Sequence, residues 1–167
     1  MKISILCVGK IKEKFFRMAI DEYAKRLGRY CKLDFIDVAD DMTPDNASDH
    51  KVEVFKEKEG ERLLKNISRD AFVIALAIDG KQLSSEELAS KIESLGIQGT
   101  SNIQLIIGGS LGLADRVLKE ADMRLSFSKM TFPHQLMRVV LLEQIFRSYR
   151  IIQNEPYHKY ADEIINI

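Results

Sequence analysis

Between residues 103 and 138 the chain twice runs from a short apolar strand, through a turn-rich loop, into a helix. Residues 103–107, IQLII, form an apolar run long enough for a buried strand and too short for a helix. Gly108-Gly109-Ser110 and Gly112 follow, which let the backbone turn sharply and approach a ligand closely. A short helix then carries Ala114, Val117, Leu118 and Ala121 on one side. Met123, Leu125 and Phe127 alternate with Arg124 and Ser126, which is the period of a strand. A polar loop over 128–131 leads to Pro133, which suits the first position of a new helix. Two such junctions in succession predict neighbouring loops at the carboxyl ends of parallel strands, where open α/β sheets bind ligands.

The other segments extend the same pattern. Apolar runs at 3–8, 33–38 and 71–78 read as strands, the last (AFVIALAI) as the central one, with Asp79-Gly80 as its turn. Helices are expected over 13–30, 49–68 and 134–152, and another opens at the Ser84/Glu87 capping box and stops at Gly96. Five strands alternating with helices predict one α/β domain over residues 1–167, with a mainly parallel sheet of five or six strands.

Two charged residues interrupt apolar stripes. Glu59 falls four residues from both Phe55 and Leu63, so it either reaches solvent at the stripe's edge or is paired inside. Gly60 beside it thins that helix for close packing. Arg138 heads the stripe of Leu142, Ile145, Tyr149 and Ile152, and either snorkels outward or points at the loop pair. Leu136 and Val140 lie on the opposite side of the same helix, and that second apolar surface predicts a homodimer.

Composition narrows the chemistry. Lysine plus arginine and aspartate plus glutamate number 25 each, so no global field draws in nucleic acid and an RNA must be met by a local patch. Cys7 and Cys31 have no ligand or disulfide spacing, and with His50, His134 and His158 scattered no metal site is expected. The apolar opening is too short for a membrane span, so a cytoplasmic protein is expected. The glycines fit neither GxGxxG nor GxxxxGK[ST], and GxSxG is absent. A glycine-lined pocket without a diphosphate signature suits a nucleoside-like ligand.

Certain residues also carry a resemblance. Residues 105–109 (LIIGG), Gly112-Leu113, residues 125–138 (LSFSKMTFPHQLMR) and 154–159 (NEPYHK) resemble the RlmH-type family, the smallest SPOUT-class RNA methyltransferases. The opening ISILCVGK and Lys58-Glu59-Gly60-Glu61 are similar too, so the likeness spans almost the whole chain, although family members commonly end near the PYHK-type segment. It implies a C-terminal trefoil knot, a homodimer, and S-adenosylmethionine as donor of a methyl group to N3 of a pseudouridine. The acceptor it implies lies in a 23S rRNA stem-loop of the large subunit, and the neutral charge points to the assembled ribosome as substrate. A ribose 2′-O or tRNA methyltransferase of the same class, or a non-catalytic ribosome-associated module, are the competing readings.

Residue by residue, the resemblance maps a cofactor pocket onto Leu76, Gly108, Phe127, Ser128, Lys129, Met130, Thr131 and Phe132. The chemistry then asks for a group to take the N3 proton or steady the anion. His134, at a helix N-terminus that disfavours its protonated form, is either that base or a packing residue. Arg138 is a candidate for the charge, and Tyr157 and His158 for closing over the base, unless they only pack. RNA contacts are expected from Lys10, Lys12, Lys14 and Arg17, and from Arg147, Arg150 and Lys159.

Overall fold

Apolar side chains on both faces of the strands demand helices on both sides, and that is the arrangement found. The computed structural model describes residues 1–158; Lys159 and residues 160–167 lie outside the described residues. Strands β1 (Lys2–Val8), β2 (Lys32–Val38), β3 (Phe72–Gln82), β4 (Asn102–Ile107) and β5 (Met123–Ser126) form one sheet in the order β2-β1-β4-β3-β5. Every pairing is parallel. Helices α1 (Lys14–Leu27), α3 (Ser85–Ile97) and α5 (His134–Ile152) share one core with Ile3, Ile5 and Leu105. Helices α2 (Asp49–Leu64) and α4 (Asp115–Glu120) cover the other face over Leu6, Val8 and Ile106. Alternation along β1 thus feeds two cores, as the pleat dictates.

The sequence expectations hold for the strands and differ at several ends. Helix α1 stops at Leu27 and α2 at Leu64, both short of their apolar stripes. The Ser84/Glu87 capping box forms as expected. Gly96 does not stop α3, which runs on to Ile97; Thr100 N–H then donates to Leu95 O and Gly99 N–H to Gly96 O, a Schellman closure. Pro133 is the residue before α5, and His134 is its first. Gly60 does bring helices together, since a Cβ there would lie 3.0 Å from the Ala114 Cβ.

Asp79-Gly80 is not a terminating turn. Strand β3 continues to Gln82, and both Leu76 and Lys81 pair with Leu125, so the residues between them bulge out of the ladder. At Gly80 the strand grazes β5, where a Cβ would lie 2.8 Å from the Arg124 carbonyl carbon. Only glycine passes there.

Candidate functional site

The two loops expected to be neighbours do face each other, and a cleft runs between them. Its narrow part, about 180 Å³, lies between the glycine loop after β4 and residues 126–132 after β5, with the β3 bulge as the third wall. A wider part of about 720 Å³ continues past Gly109, Leu113, Thr131 and His134 toward Asp79 and Ser110. Among the described residues, no aspartate, glutamate, lysine or arginine lines the narrow part. Leu76, Ile107, Leu113, Leu125 and Phe127 make it apolar, with Ser126, Ser128, Thr131 and His134 as the polar groups.

The glycine loop is folded on itself. Gly109 and Gly112 pair as an antiparallel bridge, with Gly112 N–H donating to Gly109 O at 3.1 Å. A Cβ on Gly108 would sit 2.8 Å from the Gly112 carbonyl carbon, so a side chain there would force the loop open. Gly112, at φ +81°, has no atom within 4 Å of where its Cβ would be. It is an open cradle at the cleft wall. The opposite loop is held by short bonds: the Ser126 hydroxyl lies 3.0 Å from both the Ile78 and Ser128 carbonyls, and Met130 N–H donates to Ser128 Oγ at 2.9 Å.

Of the residues expected to hold a cofactor, Leu76, Gly108, Phe127, Ser128, Met130, Thr131 and Phe132 all line the cleft. Lys129 is exposed and does not. Lining residues that sequence reasoning missed include Ala77, Ile78, Leu113 and Met137. Ile78 carried no signal of its own in the sequence, where it only ends the apolar run; the structure shows it 55% exposed, where the strand leaves the ladder.

The expected catalytic set divides. His134 lines both parts of the cleft. Burial, chiefly, and the charge of Arg138 push its pKa below the ordinary value; Asp40 opposes them and Lys12 assists. The imidazole is neutral at pH 7, and burial leads that shift rather than the helix terminus the sequence suggested.

Arg138 does not point at the loop pair and does not snorkel. It is 2% exposed and donates to Asp37 Oδ1 at 3.0 Å and to Gly9 O at 2.6 Å. Its partners are the carboxyl ends of β1 and β2. Glu59, also buried, takes the paired alternative: Oε2 accepts from Asp41 N–H at 3.0 Å. The nearby Arg62 serves Asp41 and the Ala39 carbonyl instead.

Tyr157 and His158 lie on their own α5 and α3, not over this chain's cleft. The Tyr157 hydroxyl donates to Glu143 Oε1 at 3.1 Å, its ring meets Phe146 edge-on at 5.0 Å, and burial pushes its pKa up to about 12. His158 Nδ1 is 3.1 Å from the Arg147 guanidinium and Nε2 is 2.6 Å from Glu86. Arg147 is therefore tied to Glu143 and His158, and Arg150 to Tyr30 and Glu155. Both cysteine thiols are buried and free; burial pushes Cys7 to about 12 and Cys31 to about 11, so neither is a nucleophile. Among the described residues no His/Cys/Asp/Glu group could hold a metal, and no helix is long and apolar enough to cross a membrane.

Comparison with known proteins gives concordant matches. A family model described as "Predicted SPOUT methyltransferase" matches residues 1–158. The ribosomal RNA large subunit methyltransferase H of Bifidobacterium adolescentis is 67% identical over 159 residues, covering 95% of this chain and 100% of that protein. Proteins of the same name from Clostridium novyi and Clostridioides difficile are each 58% identical over the same shares. Among solved structures, a probable methylase family protein from Haemophilus influenzae Rd KW20 superposes with a TM-score of 0.52 at 13% identity, over 91% of this chain and 68% of that one. That last likeness concerns the fold.

Proposed function

The chain belongs to the SPOUT methyltransferase family, and on that premise we propose that it methylates N3 of a pseudouridine in a 23S rRNA stem-loop, using S-adenosylmethionine. Membership carries the family's C-terminal trefoil knot, an exception to the rule that chains do not thread their own loops. The observation that supports the reading best is the cleft itself: an apolar slot between the glycine loop and residues 126–132, with a neutral histidine at its mouth.

The residues present fit the donor. The cradle at Gly112 admits a group against the backbone, and the uncharged slot suits an adenine ring and a thioether-like chain. When bound, S-adenosylmethionine supplies a methyl group on a sulfonium, open to in-line displacement. Leu76, Gly108 and residues 127–132 would hold and orient it, which is where much of the rate for such a transfer arises. The apolar walls exclude water. His134, whose imidazole is neutral, would take the N3 proton as the methyl group is transferred and would pass it on to solvent.

The substrate is the large-subunit RNA within an assembled ribosome, in the cytoplasm, since a chain of zero net charge has little pull on naked RNA. The enzyme works as a homodimer, with the Leu136/Val140 side of α5 at the interface. Tyr157 and His158, which do not reach this chain's cleft, act at the partner's in this reading.

Mass spectrometry of large-subunit rRNA from a strain lacking this chain tests the reading. One pseudouridine is expected to lose a methyl group, and the loss to be restored by the wild-type chain. An unchanged pseudouridine, or a missing ribose or tRNA methyl group instead, would refute it.

A further inference from the structure

A second cavity, about 210 Å³, lies between the first half of α1 and the edge strand β2, and nothing in the methyl transfer uses it. Arg138 forms its inner end. That guanidinium is buried, yet its Nε has no partner among the described residues. Toward the mouth stand Lys10, Arg17 and Asp21. Arg17 is pinned by the Ile11 carbonyl at 3.0 Å, while Lys10 and Asp21 make no ion pair among the described residues. The wall between them is the ring of Phe35, left 37% exposed on its strand.

The lining selects a class of ligand by exclusion. A bare anion would meet the carboxylates of Asp21 and Asp37, and a bare cation would meet Lys10, Arg17 and Arg138. Arg138 and Asp37 answer each other, but an apolar ligand would strand Lys10, Arg17 and Asp21 without water. A nucleotide satisfies those three groups: its phosphate answers Lys10 and Arg17, its ring stacks on Phe35, and an exocyclic amine donates to Asp21.

Position points the same way. Arg138 is one helical turn beyond His134, and the loop carrying Lys10 is fastened to the same end of α5 by Lys12 N–H donating to Gln135 Oε1 at 3.1 Å. The cavity thus adjoins the cleft. We propose that it seats a nucleotide of the substrate RNA flanking the target, a splayed-out base with an exocyclic amine whose phosphate rests on Lys10 and Arg17. This rests on the RNA methyltransferase reading given above. It turns a run of basic residues into a specific seat, and it makes the register of the target along the RNA a matter of two pockets rather than one.

The test is steady-state methylation of ribosomes purified from a strain lacking the enzyme. Phe35→Ala and Asp21→Asn alter exposed side chains, and far-UV circular dichroism checks that each variant folds. Each is expected to raise the KM for ribosomes about tenfold, leaving kcat and the KM for S-adenosylmethionine unchanged. The double variant Lys10→Ala/Arg17→Ala is expected to raise the same KM and to weaken its dependence on salt. If Phe35→Ala and Asp21→Asn both stay within about twofold of wild type, no base sits there, whatever the cationic pair does. Tight binding of a free mononucleotide that leaves the ribosome KM untouched would instead assign the cavity to a soluble nucleotide and overturn the proposal. Wild-type enzyme that transfers no methyl group at all would refute the function itself, and this assignment with it.

Discussion

His134 is where burial and charge combine to set a proton's fate. Its imidazole is withdrawn from water, with Arg138 and Lys12 near enough to resist a second positive charge and Asp40 the one opposing group. A pKa moved below 6.5 means the base is already free at neutral pH and is lost only on further acidification. The kcat–pH profile should therefore sit on its plateau at pH 8 and fall through an acid limb centred below 6.5. His134→Asn should cost about a hundredfold in kcat and abolish that acid limb. A limb centred above 6.5, or one that survives in the variant, would remove His134 from the role.

Glu59 supplies a second prediction of the opposite kind. Burial, chiefly, raises its pKa above 4.5, with Asp41 and Asp40 adding to the effect against the Asp41 N–H bond and Arg62. A carboxyl whose folded pKa is raised favours the fold while protonated, and that contribution fades as pH climbs through the folded value. Glu59→Gln should thus be more stable than wild type at pH 8, with the gap closing toward pH 4. Thermal denaturation at the two pH values measures it, and a variant less stable at pH 8 would contradict it. For both Glu59 and Arg138 the spacing showed that a charge fell on an apolar stripe. It did not show the partners, because these come from distant residues: Asp41 for one, Gly9 and Asp37 for the other.

At the scale of elements, the site depends on where β3 leaves its ladder. The apolar run over 71–78 was legible as a strand, and Asp79-Gly80 reads locally as a turn because those residues favour turns. What overrides the local signal is β5, whose backbone leaves no room for a Cβ at residue 80. The strand therefore bulges and resumes, and the bulge becomes a wall of the cleft. Gly80→Ala should destabilise the fold by about 2 kcal/mol, through forced separation of β3 and β5. It should weaken S-adenosylmethionine binding as well; a variant with wild-type melting temperature and affinity would show that the contact yields freely.

The strand–loop–helix junctions around Gly108 and Pro133 were readable for a simpler reason. Each is specified by consecutive residues: an apolar run, a turn, a helix start. The closing tail was not readable. Tyr157 and His158 sit by α5 and α3 through Glu143, Arg147 and Glu86, contacts that no spacing announces.

For the whole molecule, the alternation of runs predicted a parallel α/β sheet but not the order β2-β1-β4-β3-β5. Strand β4 inserts between β1 and β3, and β5 goes outside β3, so the glycine loop and the loop after β5 flank the β3 bulge. Hydrophobic periodicity is blind to such order, and to the family's knot as well. It also leaves Leu136 and Val140 only half-buried in a single chain. Sedimentation at micromolar concentration should show a dimer, and a species of monomer mass alone would remove the second copy from the site.

Calorimetric titration of the protein with S-adenosylmethionine tests most directly whether the cleft between those two loops binds the methyl donor. The wild-type chain should bind one equivalent per subunit, and Gly108→Ala, which crowds Gly112, should bind at least tenfold more weakly while keeping its fold. No heat of binding to the wild-type chain at millimolar S-adenosylmethionine, or equal affinity in the two proteins, would contradict the account.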